Sequence, residues 1–111
     1  MKISDLIEDL EAIAEKYSND YDINMTSDWF IMKMTEELGE LTQSYLKCMG
    51  QARRGAADME RLRENLEDEL ADLIGMALLF GNDRGIDIEK AFERKWLKYL
   101  DSPKAIVNDP L

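Results

Sequence analysis

The chain has 111 residues, a length that supports one domain around a single core. Its 24 acidic residues against 14 basic ones give a formal charge of −10. That balance argues against DNA or RNA, which attract proteins chiefly through phosphate, and against an anionic membrane surface.

Taken in chain order, the sequence predicts an all-α domain over residues 1–101 followed by a short tail, 102–111. Ile3, Leu6, Ile7, Leu10, Ile13 and Tyr17 fall at helical spacing with acids between them, which predicts an amphipathic first helix over about 4–17. Ser18-Asn19-Asp20-Tyr21-Asp22 reads as a polar break. Thr26, Ser27 or Asp28 caps a second helix running to Cys48 or Met49, with Met34, Leu38, Leu41 and Tyr45 as its core stripe. Lys33, Glu37, Glu40 and Ser44 lie on a neighbouring face. Gly50 to Ala57 makes a connection, and Asp58 caps a third helix over about 59–83. Along it Leu62, Leu66, Leu70, Leu73 and Ala77 form one stripe, yet Leu70 to Phe80 is apolar nearly all round, the pattern of a helix covered on every side. Gly85 closes it, Asp87 caps a fourth helix from Ile88 to Leu100, and Pro103 marks its limit. No strand alternation or repeat interrupts this pattern.

Other features narrow the chemistry. Histidine is absent, so Ser-His-Asp and Cys-His nucleophile systems, HExxH zinc sites and Glu-x-x-His di-iron motifs are excluded. Neither GxGxxG nor GxxxxGK[ST] occurs. Cys48 is the only cysteine, so no intrachain disulfide forms, which fits a reducing compartment. The N-terminus carries no signal-like apolar segment, and Leu70 to Phe80 is too short to span a bilayer. A soluble cytoplasmic protein is expected.

The most informative residues are two acidic clusters, Glu36-Glu37-Leu38-Gly39-Glu40 and Glu69-Leu70-Ala71-Asp72. Glu37 and Glu40, like Glu69 and Asp72, are (i, i+3) pairs and so neighbours on their helices. The midpoint between the two pairs falls within Gly50–Gly55, so an antiparallel fold-back there sets both at similar height. Four carboxylates facing one another must protonate, meet cations or bind a metal. With only oxygen donors on offer, the metal would be Mg²⁺ or Mn²⁺.

These residues resemble the EExxE…ExxD signature of the MazG-like, all-α nucleoside triphosphate pyrophosphohydrolases. The 28 residues between the two motifs are at the long end of that family's spacing. Similarity continues through Gly85-Ile86-Asp87-Ile88 and from Ala91 to Lys95, covering about residues 27–100. The resemblance implies a four-helix MazG-like bundle that assembles as a homo-oligomer. It further implies Mg²⁺-dependent hydrolysis of a (deoxy)nucleoside triphosphate to monophosphate and pyrophosphate, as in cleaning the nucleotide pool. Carried over by position, Glu37, Glu40, Glu69 and Asp72 match metal ligands, with Glu36 and Glu37 as catalytic carboxylates and Glu36 the candidate base for water. One departure stands out. Many relatives carry Lys-x-x-Asn in the last helix, whereas this chain has Lys95-Trp96-Leu97-Lys98-Tyr99, leaving the phosphate and sugar contacts there open.

Substrate contacts can come from several residues, each with a plainer alternative. Lys33 is either a phosphate ligand or an (i, i+4) partner of Glu37. Arg53, with Arg54, either forms a solvated turn or reaches a phosphate across a subunit boundary, and Arg94 stands behind. Lys95 also matches the family by position. Asn82 is either a frayed helix end or a polar contact to base or sugar. Trp29, Phe30, Trp96 and Tyr99 either stack on a base or pack in the core. Two rival readings remain: a catalytically silent helical interaction module, and a metal-storing bundle, weakened by the missing histidines. No nucleic acid polymer or membrane is expected as a partner. Self-association is, because Leu70 to Phe80 and Trp29 to Met32 hold more apolar surface than three neighbouring helices can cover.

Overall fold

A computed structural model of the chain describes residues 1–101 and is helical throughout its regular elements. The elements are α1 (Ile3–Tyr21), α2 (Ser27–Cys48), α3 (Met59–Asp83) and α4 (Ile88–Lys95), followed by a single 3-10 turn, Leu97–Tyr99. The tail expected at Ser102–Leu111, with Pro103, lies outside the described residues.

α1 extends four residues past its expected end. The polar segment from Ser18 to Tyr21 stays helical because the chain turns at Asp22, which takes a left-handed backbone (φ 52°) and donates its N–H to the Ser18 carbonyl. Ile23 donates to the same carbonyl at 3.1 Å, and the Ser18 hydroxyl bonds Ile23 O. Aspartate is among the few residues with a side chain that tolerate this conformation. Hydrophilic composition alone therefore did not mark a break.

The central feature is the antiparallel α2–α3 hairpin. Thr26 caps α2 by accepting from Trp29 N–H at 3.2 Å, and Asp58 caps α3 by accepting from Arg61 N–H at 2.9 Å. α2 ends in a Schellman motif around Gly50 (φ 74°), with Gln51 N–H on Leu46 O at 2.8 Å and Gly50 N–H on Lys47 O at 3.2 Å. α3 ends the same way around Gly85, with Ile86 N–H on Gly81 O at 2.8 Å. Side chains tie the hairpin at both ends: the Ser27 hydroxyl bonds the Asp83 carboxylate, and the Cys48 thiol donates to Leu62 O at 3.4 Å.

α4 is shorter than the sequence predicts. Asp87 caps it as expected, accepting from Lys90 N–H at 3.1 Å, but regular helix stops at Lys95. Trp96 keeps the helical bond to Phe92 O at 2.8 Å but with a stretched φ of −118°, and the chain then tightens into the 3-10 turn. Short helices persist through packing of an apolar face, and this segment leaves Phe92, Trp96, Leu97 and Leu100 substantially exposed. It meets α3 where Ile88 lies on Gly81; a Cβ there would stand 2.7 Å from Ile88 Cδ1.

Burial corrects the expected stripe on α2. Leu38 and Leu70, expected to be covered beside the carboxylates, are 52% and 46% exposed, and Tyr45 is likewise open. The buried positions of α2 are Phe30 and Glu37, which meet a core completed by Leu62, Leu78 and Leu79 on α3. On the face carrying Lys33, Glu37, Glu40 and Ser44 only Glu37 is buried and Glu40 is exposed, while on the expected stripe Met34 and Leu41 are half-buried and Leu38 and Tyr45 exposed, so the inward side of α2 runs between the two faces. Periodicity identifies faces that need cover; it does not say which face the chain itself covers.

Candidate metal-binding acidic site

The hairpin brings Glu37 and Glu40 of α2 against Glu69 of α3, with one carboxylate oxygen from each lying within 4.8 Å of the others. The backbone reason is the matched height of the two motifs: capped starts at Thr26 and Asp58 and a glycine-terminated α2 fix the register. Glu37 is 8% exposed, unusual for a carboxylate without a cationic partner. One oxygen of Glu37 and one of Glu69 are fully buried and accept no hydrogen bond among the described residues. Asp72 stands outside the close triad, on the wall of an adjoining cavity.

Electrostatics follow from this crowding. Burial, reinforced by a hydrogen bond and charge repulsion from Glu40 and by the charges of Asp72 and Glu69, pushes the Glu37 carboxyl up to about 7. Glu69 is raised by burial, then by Glu40, Asp72 and Asp68. Asp72 is raised by burial, then by Glu40 and Asp68. Among the described residues no lysine or arginine forms an ion pair with any of the four; Lys33–Glu36, Arg61–Glu64 and Arg63–Glu67 are ion pairs between described residues. Buried oxygens without partners, gathered in a set of hard donors only, suit a divalent cation such as Mg²⁺ or Mn²⁺.

The remaining candidates separate. Lys33 and Glu36 pair with each other at 3.1 Å, and the lysine, raised by that bond, also lies 5.6 Å from the centroid of the Trp29 ring. The (i, i+4) pairing considered between Lys33 and Glu37 is replaced by this (i, i+3) pair. A cavity of about 360 Å³ between α1, α2 and α3 shares Glu37 and Asp72 with the acidic site and has Lys33 on its wall. Lys95 does not line it; it borders a second depression with Phe92 and Trp96. Arg53, on the exposed connecting loop, and Asn82, exposed near the end of α3, do not line it either.

Sequence reasoning missed the wall that α1 contributes: Leu10, Ile13, Ala14 and Tyr17 face the carboxylate-bearing hairpin across this cavity. No signal distinguishes them, since an apolar stripe at helical spacing looks the same packed or lining a cavity. Asp68, a charge neighbour of Glu69 and Asp72, was also missed. Comparison of the chain with protein-family models, curated proteins and solved structures found no significant match.

Proposed function

We propose that the protein is a Mg²⁺-dependent nucleoside triphosphate pyrophosphohydrolase of MazG-like type, working as a homo-oligomer. The observation that carries this reading is the convergence of Glu37, Glu40 and Glu69 with two buried carboxylate oxygens lacking partners. Glu37, Glu40 and Glu69 would hold the cation, with Asp72 completing the set from α3. When bound, Mg²⁺ supplies charge neutralisation of the triphosphate and acidification of the attacking water.

The chain's own residues supply the rest. Water attacks the α-phosphorus, the bond to the α–β bridging oxygen breaks, and pyrophosphate leaves. Glu36 accepts the proton from the water. In the free protein that carboxylate is held by Lys33 at 3.1 Å. As Lys33 turns to a phosphate oxygen it neutralises charge there and releases Glu36 for proton transfer. Acidic surroundings would otherwise repel a polyanion, so the cation and Lys33 together make binding possible.

Chromatography of the products tests the reaction class. The expected products are monophosphate and pyrophosphate in one step; a nucleoside diphosphate with orthophosphate would reject it. The rival of a silent interaction module gains support from the exposed apolar faces of α2 and α3. It predicts neither a Mg²⁺-induced rise in melting temperature nor turnover of any nucleotide.

A further inference from the structure

We propose that Trp29 is a positioning residue for Lys33: its indole face holds the ammonium on the cavity side of α2, from where it reaches a phosphate oxygen on leaving Glu36. This rests on the reading of Lys33 as the phosphate contact and of Glu36 as the base. Trp29, Lys33 and Glu36 follow one another along α2 at spacings of four and three residues, so they share one face of the helix. Lys33 thereby stands between two partners. Its Nζ donates to Glu36 Oε2 at 3.1 Å and lies over the Trp29 ring, 5.6 Å from the centroid, which is cation–π range.

The two partners draw the ammonium in different directions. Trp29 lines the cavity that also carries Glu37 and Asp72, and among the described residues Lys33 is the only basic side chain on that wall. Glu36 does not line it, and its side chain is 55% exposed against 28% for Lys33. The carboxylate therefore pulls toward solvent and the ring toward the acidic site. The ring is held in place: Trp29 N–H donates to Thr26 Oγ1 at 3.2 Å, and buried Phe30 braces the indole edge-on with centroids 5.4 Å apart. Lysine has a flexible stem, so the ammonium moves while the ring stays. An exposed (i, i+3) ion pair and a cation–π contact are both weak and of comparable strength. Exchange between them therefore costs little, and a phosphate oxygen arriving beside Glu37 and Asp72 tips the lysine to the ring side. Without the ring, the attraction left comes chiefly from Glu36 and then Glu37. A lysine settled on Glu36 keeps the base occupied, and one settled on Glu37 competes with the cation.

Proton magnetic resonance tests the contact in the unaltered protein. The Lys33 ε-methylene protons should be shifted upfield by the Trp29 ring current, keep part of that shift in Trp29→Phe and lose it in Trp29→Leu. With the best substrate of a (d)NTP panel, Trp29→Leu should lower kcat about tenfold while KM stays within about threefold. Trp29→Phe should recover most of the loss. In a Lys33→Met background Trp29→Leu should cost nothing further, because the ring acts through the ammonium. A side chain that merely packs would cost the same in both backgrounds. Circular dichroism checks each fold; if Trp29→Leu does not fold, Trp29→Phe takes its place, with a smaller loss expected on the same pattern. Lys33 protons at the ordinary lysine position, or equal losses in the two backgrounds, overturn the proposal. Binding of inorganic triphosphate in Mg²⁺ separates it from the reaction class. If no nucleotide is turned over, yet Trp29→Leu weakens triphosphate binding only when Lys33 is present, the hydrolytic reading falls alone. If nucleotides are hydrolysed and the proton shift is absent, the positioning role falls alone. Neither turnover nor triphosphate binding rejects both.

Discussion

Glu37 concentrates the tension in this molecule. A carboxyl held near 7, against an ordinary value of 4.5, binds a proton in the folded chain over an interval where the unfolded chain has released it. Its contribution to stability is therefore full below about pH 4.5 and is lost as pH rises through about 7. Glu69 and Asp72, raised in the same direction, add to the slope. In chelator-treated protein, stability should fall by about 1–3 kcal/mol between pH 5 and 8. Mg²⁺ should oppose the fall most strongly at the alkaline end. Melting curves across that range check it; a metal-free profile that rises toward pH 8 would contradict the crowding of acids. At the same scale, Glu40→Ala or Asp72→Ala should abolish turnover, preserve helical circular dichroism and raise the metal-free melting temperature, because each removes a charge facing its neighbours. Full activity in either would sink the assignment.

Among the elements, the α2–α3 hairpin decides whether a site exists at all. Register depends on where α2 stops, and it stops at Gly50, whose φ of 74° disfavours any residue bearing a Cβ. A Cβ at Gly50 would also stand 3.1 Å from Arg54 Nη2, while Arg54 Nε donates to Lys47 O at 3.1 Å and so helps close the helix end. Gly50→Ala should cost about 1–2 kcal/mol and weaken Mg²⁺ binding through lost register. Asp58→Ala, which removes the cap of α3 but leaves the turn, should cost about 1 kcal/mol with little change in metal affinity. Urea titration with and without Mg²⁺ separates the two; equal effects on metal affinity would mean that the turn does not set the register.

For the whole molecule, the decisive quantity is apolar surface left open. The radius of gyration is 17.2 Å, against roughly 13 Å for a compact domain of this length. Among the described residues no side chain is completely sealed, α1 contributes no buried residue, and Leu38, Leu70, Ile74 and Leu100 are exposed. Each large apolar side chain covered would contribute roughly 1.5–3 kcal/mol, and a second copy under a two-fold axis would bring the same surface to meet it. Light scattering at micromolar concentration should therefore give at least twice the chain mass of 12.8 kDa. Leu38→Glu with Ile74→Glu should shift the species toward a monomer. A stable mass near 12.8 kDa for the unaltered protein would refute self-association. Among the described residues no helix is long and apolar enough to cross a membrane.

Local signals carried much of this. Thr26, Asp58 and Asp87 bond the backbone where capping residues should, and Gly50 and Gly85 turn the chain where a left-handed residue is needed. These interactions span only a few residues, so the order and most of the bounds of the four helices were legible before any packing was known. The spacing of Glu37, Glu40 and Glu69 was legible for the same reason: helix geometry and one turn bring them to a common height. Tertiary structure alone decided what surrounds them. It turned Glu37 inward and Leu38 outward, left Asp72 beside the triad and paired Lys33 with Glu36. It also laid α1 beside the hairpin, where it walls a half-open cavity next to the carboxylates. Periodicity records which faces are apolar, but burial depends on contacts between segments far apart in sequence, and that pairing is set by the competition among all the faces at once.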